Sequence, residues 1–136
     1  MSHLGRRPVP LLALALVCSG ALASGCGAPQ DASLESFCAA ARDVQSAGDQ
    51  AEDPADEVKA VKQAYADLEE VGTPADIPRQ ARDGFEVIGQ AVGAVPDDAS
   101  RDDLNQVDER VGAAGQDKVE AFFMYVSTAC SGEARP

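Results

Sequence analysis

The chain has 136 residues, 11 of them basic and 23 acidic, which gives a formal net charge of −12 at pH 7. The 111 residues from Cys26 to Pro136 accommodate one compact domain and not two. So acidic a chain is not expected to bind nucleic acid, because phosphate contacts need clustered lysine and arginine.

The first 25 residues have the layout of a secretory signal peptide. Arg6 and Arg7 precede an apolar run over 9–22, and small residues follow it. The run is short for a membrane span, which needs about 20 apolar residues. Ala-Ser-Gly directly before Cys26 resembles the lipobox of bacterial lipoproteins. That resemblance implies cleavage before Cys26 and attachment of a diacylglyceryl group to its thiol.

Two other interpretations of this segment stay open. Cleavage by the general signal peptidase near Ala23 or Gly25 would secrete the protein, and an uncleaved segment would itself be an anchor. The lipobox interpretation places the protein on the outer face of the cytoplasmic membrane, attached through a lipid on Cys26. The expected organisation is a signal peptide over 1–25, a flexible lipidated tether over 26–30, a helical domain over 31–132 and a disordered tail over 133–136.

Cleavage before Cys26 would change the composition of what remains. His3, Arg6 and Arg7 leave with the signal, so 9 basic and 23 acidic residues remain, the charge becomes −14, and no histidine is left. This removes the usual general base and the usual zinc ligand. We therefore expect no enzyme activity and no cofactor. Anionic lipid headgroups would repel so acidic a domain.

Cysteine usage predicts one disulfide. Cys18 leaves with the signal and Cys26 carries the lipid, which leaves Cys38 and Cys130. In an exported chain two remaining thiols are expected to pair, with two buried free thiols as the alternative. The bond would close a loop of roughly 90 residues and contribute up to about 4–5 kcal/mol on the chain-entropy model.

From Asp31 onward, apolar residues recur at three- and four-residue spacing, which predicts helices. The first follows a cap at Asp31 or Ser33 and ends near 47–48. The second starts at Asp53 and Pro54. The apolar stripes of these two helices are Leu34, Phe37, Cys38, Ala41 and Val44, and Val58, Val61, Tyr65 and Leu68.

A turn over 73–78 follows Gly72, which ends the second helix, and runs into a third helix that Pro96 stops. The last segment is predicted to be one kinked helix or two helices. Ser100 with Asp103 resembles a capping box, and the apolar stripe changes phase near 112–116. A second candidate box is Asp117 with Glu120. The stripes are Ile77, Ala81, Phe85, Ile88, Val92 and Val95; Leu104, Val107 and Val111; and Val119, Phe122, Val126 and Cys130.

Four amphipathic helices with short connections predict an all-α, antiparallel four-helix bundle. The first and last helices would then be neighbours. Cys38 lies near the start of one and Cys130 near the end of the other, so the predicted fold and the predicted disulfide support each other. Alternating strand patterns are absent from the sequence.

Phe123, Met124 and Tyr125 form a candidate docking patch. Four consecutive large residues begin at Phe122, and they cannot all face inward because successive helical residues turn by 100°. With Phe122 and Val126 in the core, Met124 or Tyr125 is expected to be partly exposed. A wide core stripe is the simpler interpretation, and a docking site for a protein partner or small ligand is the functional one.

Acidic clusters at 49–57, 97–98 and 102–103 do not predict a metal site. They lack the alternating ligands, central glycine and terminal glutamate of a calcium loop. Favourable interaction with helix dipoles explains acids at helix starts.

The whole chain resembles the small, Ala- and Asp-rich helical lipoproteins common in actinobacteria. The lipobox at Cys26 carries the resemblance, with Phe-Cys-Ala-Ala at 37–40, Thr-Pro-Ala-Asp-Ile at 73–77 and the segment 125–130. It implies a fold and a location, and no particular activity. The expected function is therefore a non-enzymatic binding or structural module.

A carrier of a small apolar ligand, held between the helices, is the alternative function. A carrier needs an internal cavity bounded by small residues, for example near Gly84, Gly89 and Gly93.

Overall fold

The computed structural model describes residues 27–132, which form six helices and no strand. The all-helical prediction is confirmed for this range. The predicted signal peptide, Cys26 and the tail over 133–136 lie outside the described residues. None of the described helices is long and apolar enough to span a bilayer. The helices are α1 (Leu34–Gln50), α2 (Pro54–Val71), α3 (Arg79–Gly93), α4 (Arg101–Asn105), α5 (Val107–Val111) and α6 (Ala113–Ala129).

Three helix starts follow the capping signals of the sequence. Ser33 and Asp53 each accept a hydrogen bond from a backbone amide in the first turn of their helix, and Pro54 is the first residue of α2. Ser100 and Asp103 form the reciprocal capping box that begins α4. These caps satisfy amides that have no partner inside the helix.

Two helix boundaries in the structure differ from the predicted ones. Helix α1 continues to Gln50, past the predicted end at 47–48. Helix α3 begins at Arg79, so Ile77 precedes it. The residue before a proline is disfavoured in the helical region, which keeps Ile77 out of the helix ahead of Pro78. Ile77 is nonetheless buried, as its place in the stripe predicted.

The last segment contains three helices instead of one or two. The predicted break falls at Gly112, whose φ of +70° is a conformation that glycine adopts most readily. A further break lies at Gln106, between α4 and α5. The proposed second capping box is wrong, because α6 already begins at Ala113 and Asp117 lies inside it.

The four long helices contribute one aromatic ring each to a continuous core. Tyr65 of α2 stacks on Phe85 of α3 at 6.1 Å, Phe85 contacts Phe122 of α6 at 5.5 Å, and Phe122 contacts Phe37 of α1 at 6.3 Å, measured between ring centroids. Aromatic pairs at such separations stabilise a core beyond the area they bury. Leu34, predicted to be in the core stripe, is 39 % exposed, because it occupies the first turn of α1.

Helix α1 packs along α2, and α3 packs along α6. A disulfide between Cys38 and Cys130 joins the first pair to the second, with 5.4 Å between the two Cα atoms. The predicted pairing is therefore present in the structure. Smaller contacts between α2 and α3 and between α1 and α6 complete the assembly.

Ion pairs tie the connection after α3 to α2. Lys62 donates to the Val95 carbonyl at 2.6 Å and to the Asp97 carboxylate. Arg101, the first residue of α4, donates to Glu57, which is buried.

Residues 27–32, which we call the N-terminal strap, are held against the helices. The Pro29 carbonyl accepts a hydrogen bond from the Thr73 amide at 2.8 Å, and the Ala32 amide donates to the Thr73 carbonyl at 3.2 Å. Gly72 allows this contact, since a Cβ there would overlap the Pro29 carbonyl. Ala28 is half-buried against the core. The tether expected to be flexible is thus bonded to the domain from Pro29 onward.

Candidate docking surface

The three residues of the predicted docking patch differ in exposure, because they lie on different sides of α6. Phe123 is 50 % exposed and Met124 is 61 % exposed, while Tyr125 is half-buried. Their neighbours Phe122 and Val126 are buried, as expected. The predicted partial exposure is confirmed for Met124, and Phe123, for which no exposure was predicted, is exposed as well. We call these two residues the α6 ridge.

The inward face of α6 explains why the ridge points outward. Gly115, Val119, Phe122 and Val126 are the buried residues of this helix, and their spacing of three and four places them on one side. Successive residues turn by about 100°, so the two residues after Phe122 leave that side. The Phe123 ring keeps one edge against Phe122, with 5.6 Å between centroids.

A groove lies on either side of Met124 and Glu120. One groove, of about 540 Å³, runs between α6 and Val111 at the end of α5, and Phe123 lines it. The other, of about 620 Å³, runs between α6 and the start of α3 at Pro78. Both are open to solvent. The ridge therefore offers projecting apolar atoms beside two hollows that could receive side chains of another molecule.

Acidic groups border these grooves. Glu120 lines both, and Asp117 lines the one beside α3. Partial burial, helped by the negative charge of Asp76, raises the pKa of the Tyr125 phenol. The surface combines an apolar centre with a negative border.

The glycines that a carrier's cavity would need do not border one. A Cβ on Gly84 would overlap the Lys118 backbone of α6, and a Cβ on Gly89 would overlap the Glu69 carboxylate. Gly93 is exposed and has no neighbour within 4 Å of its Cβ position. Gly84 and Gly89 allow close packing, and Gly93 faces solvent. None of the three therefore supports the hypothesis of a ligand held between the helices.

No metal-binding cluster is found in the part of the chain that the structure describes. Over residues 27–132, no group of three or more His, Cys, Asp or Glu side chains is placed to hold an ion.

A smaller hollow lies where the strap meets α2 and α3, and no sequence pattern predicted it. Its lining includes Gly27 and Ala28 of the strap, Glu69 of α2, and Glu86 and Gln90 of α3, around about 270 Å³. We call it the N-terminal notch. Partial burial raises the pKa of Glu69.

Tyr65 lies one helical turn before Glu69. Burial raises the pKa of its phenol far above the usual range, and the charge of Glu69 adds to this. Its hydroxyl is buried and has no hydrogen-bond partner among residues 27–132.

Comparison of the chain with protein-family models, with curated proteins and with solved structures found no match.

Proposed function

We propose that this protein is a lipid-anchored, extracytoplasmic binding module whose α6 ridge docks a protein partner. The observation that carries the proposal is the pairing of Phe123 and Met124, both at least half exposed, beside two grooves. Single exposed apolar residues are ordinary on protein surfaces. A contiguous apolar patch next to hollows is typical of interaction sites.

The surface defines the chemistry of the partner. Apolar side chains would fill the grooves, and an unbranched, polarisable methionine adapts to their shape. Lysine or arginine at the rim of the partner would face Asp117 and Glu120. The charge of −14 expected after cleavage would increase the association rate of such a partner.

The location in this proposal comes from the sequence. The lipobox-like segment before Cys26 supports signal cleavage and lipid attachment there. A disulfide between Cys38 and Cys130 fits an oxidising compartment outside the cytoplasm.

The finer architecture is an antiparallel four-helix bundle formed by α1, α2, α3 and α6. Contacts between α1 and α2, α2 and α3, α3 and α6, and α6 and α1 support a closed ring of neighbours. Helices α4 and α5 would lie in its last connection.

A photo-crosslinking amino acid at position 124 tests the docking surface in living cells. We expect irradiation to join the protein to a species of one defined mass, and Phe123→Ser to suppress that product. The matched control carries the same amino acid at Glu70, an exposed position on α2. Equal products from positions 124 and 70, or none from 124, would contradict docking at the ridge. The free energy of unfolding of Phe123→Ser, measured by thermal denaturation, should stay within about 1 kcal/mol of the parent's, because the residue is half exposed.

Detergent-phase partitioning tests the anchor. Cys26→Ala should move the protein from the detergent phase to the aqueous phase, because no thiol remains for the lipid. Cys18→Ala is the matched control and should leave partitioning unchanged, since residue 18 belongs to the predicted signal. Unchanged partitioning of Cys26→Ala would refute a lipid on this residue.

A further inference from the structure

The groove between α6 and α5 continues past the α6 ridge towards α1. Its lining ends at Ser127, and a further hollow of about 240 Å³ begins at the same residue, between α6 and α1 beside the disulfide. The α6 residues that line the two share one side of the helix, from Gln116 through Phe123 and Ser127 to Cys130. The groove and the hollow therefore form one channel along α6, which we call the long groove.

The long groove has the length of a short helix. From Gln116 to Cys130 the helix axis rises by about 21 Å, a distance that four turns of an α-helix cover. Helix α6 forms one wall along this length, while Val111 of α5 and Arg42 of α1 belong to the opposite side. Helices pack on one another by seating side chains in such grooves. The dimensions of the long groove thus suit a further helix that lies along α6.

The wall formed by α6 has few hydrogen bonds to give to another backbone. Its amides and carbonyls bond to each other within the helix. The Ser127 hydroxyl donates to the Met124 carbonyl at 2.9 Å, and the Ser131 hydroxyl donates to the Ser127 carbonyl. Residues 27–132 contain no strand, so they offer no sheet edge to an extended segment. An extended occupant would bury unpaired N–H and C=O groups here, whereas a helix pairs its own.

The two parts of the long groove carry opposite charges. Among its lining residues, Glu120 supplies a negative charge beside α5, and Arg42 supplies a positive charge beside the disulfide. Both side chains are exposed, and neither forms an ion pair with another residue in the range 27–132. The exposed residues Phe123, Met124 and Ser127 lie between them on α6 and are uncharged. The groove therefore matches a segment with basic residues at one end, apolar residues in the middle and acidic residues at the other end.

We propose that the partner of the α6 ridge docks through one amphipathic α-helix that lies in the long groove, antiparallel to α6. This inference rests on the proposed function, because it identifies the element through which the partner binds. Acidic residues in the first turn of the docked helix lie beside Arg42, and basic residues in its last turn lie beside Glu120. This is the order of charges that the dipole of a helix favours. The antiparallel direction also places the positive end of the docked helix beside the negative end of α6.

A second copy of this chain does not meet these requirements. Each copy would carry a charge of −14 after the expected cleavage, so two copies would repel each other. The α6 helix of a second copy has no acidic residue in its first turn to face Arg42, and no basic residue in its last turn to face Glu120. The partner is therefore a different protein.

Photo-crosslinking from two positions in living cells tests the helix and its direction. One variant carries the photoreactive amino acid at Gln116 and another at Ser127, about 16 Å apart along α6. Fragment mass spectrometry locates the residue of the partner that is joined to each position. A docked helix should be joined at residues about 11 apart, whereas an extended segment covers the same distance in about 5 residues. Antiparallel docking requires the residue joined to position 127 to come first in the partner's sequence.

Thr128 provides the matched control for Ser127. The two residues are adjacent and exposed, but Thr128 lines the groove beside α3 instead of the long groove. The photoreactive amino acid at position 128 should therefore give several-fold less product than at position 127. Equal yields from the two positions would overturn docking in the long groove.

Reversal of one charge tests the polarity of the groove. Arg42→Glu should lower the yield from position 124 by at least about five-fold, because the new carboxylate would face the acidic end of the docked helix. Arg79→Glu makes the same change at an exposed position outside the long groove, and should have little effect on the yield. Equal yields from the two variants would overturn the proposed direction.

The product from position 124 separates two kinds of failure. If none forms, docking at the α6 ridge is refuted, and the proposed function fails with it. If a product forms but the joined residues are about 5 apart or in the opposite order, the ridge still docks a partner and the antiparallel helix is refuted. A product of twice the mass of the chain would identify a second copy and would also overturn the proposal.

Discussion

Gly84 of α3 lies directly against the Lys118 backbone of α6, and no side chain separates the two helices there. Close approach of this kind needs a residue without a Cβ. On the facing helix, a Cβ at Gly115 would overlap the Val111 side chain at the end of α5. Glycines thus bring α3, α5 and α6 into contact, and this is the scaffold that presents the α6 ridge.

Gly84→Ala should destabilise the protein by about 1–3 kcal/mol, because the added methyl forces the backbones of α3 and α6 apart. Alanine favours a helix by about 1 kcal/mol over glycine, so the packing penalty must exceed that gain. Urea unfolding measures the difference. Gly93→Ala on the same helix is the control, since nothing lies within 4 Å of its Cβ position, and it should be neutral or slightly stabilising. Equal midpoints for the two variants would refute the close contact.

The disulfide should account for a large part of the stability. Cys38 and Cys130 are 92 residues apart in sequence, so the bond restricts a long loop in the unfolded chain. Replacing both by alanine should lower the free energy of unfolding by about 2–5 kcal/mol. Chemical denaturation with and without reductant measures this, and the double variant should not respond to reductant. Thiol labelling of either cysteine in the native oxidised protein would show that the bond is not formed.

Local signals allowed much of the helical structure to be predicted from sequence. Two helix starts could be predicted because their capping bonds join residues close in sequence. They are the start of α2 at Asp53 and Pro54, and the start of α4 at Ser100 and Asp103. The glycine at position 112 also indicated the break before α6, because glycine readily adopts a positive φ such as the +70° found there.

What the sequence could not reveal depends on distant partners. Glu57 and Arg101 are 44 residues apart, and no sequence pattern predicts that their side chains form an ion pair. The exposure of Met124 was predicted, because it follows from the 100° turn per residue, whereas the exposure of Phe123 was not. The grooves beside the α6 ridge depend on where α3 and α5 lie, and the notch depends on a strap that reads as a flexible linker.

The ion pair between the buried Glu57 and the exposed Arg101 should respond to loss of the arginine. The Glu57 side chain is only 11 % exposed, so Arg101→Met would leave a nearly buried carboxylate without its donor. We expect a loss of about 1–3 kcal/mol. Lys59→Met is the control, because its pair with Asp56 is exposed and should contribute less than about 1 kcal/mol. Urea unfolding of Arg101→Met, of Glu57→Gln and of the variant that carries both changes measures the coupling between the two side chains, and the same measurement on Lys59→Met gives the control. Additive effects would show that the two side chains do not interact.

Tyr65 should make the protein sensitive to alkaline pH. Burial raises the pKa of its phenol far above the value of about 10 expected in the unfolded chain. Above pH 10 the unfolded state therefore releases a proton that the folded state retains, and stability falls by up to about 1.4 kcal/mol per pH unit. Tyr65→Phe should flatten this decline, whereas Tyr125→Phe should change it less, because Tyr125 is only half-buried. Guanidinium unfolding between pH 8 and 11.5 measures the slopes. Lysines titrate in the same range in every variant, so only the difference between the variants reports on the phenols. A parent and a Tyr65→Phe variant with equal slopes would mean that the Tyr65 phenol ionises as readily in the folded protein as in the unfolded chain.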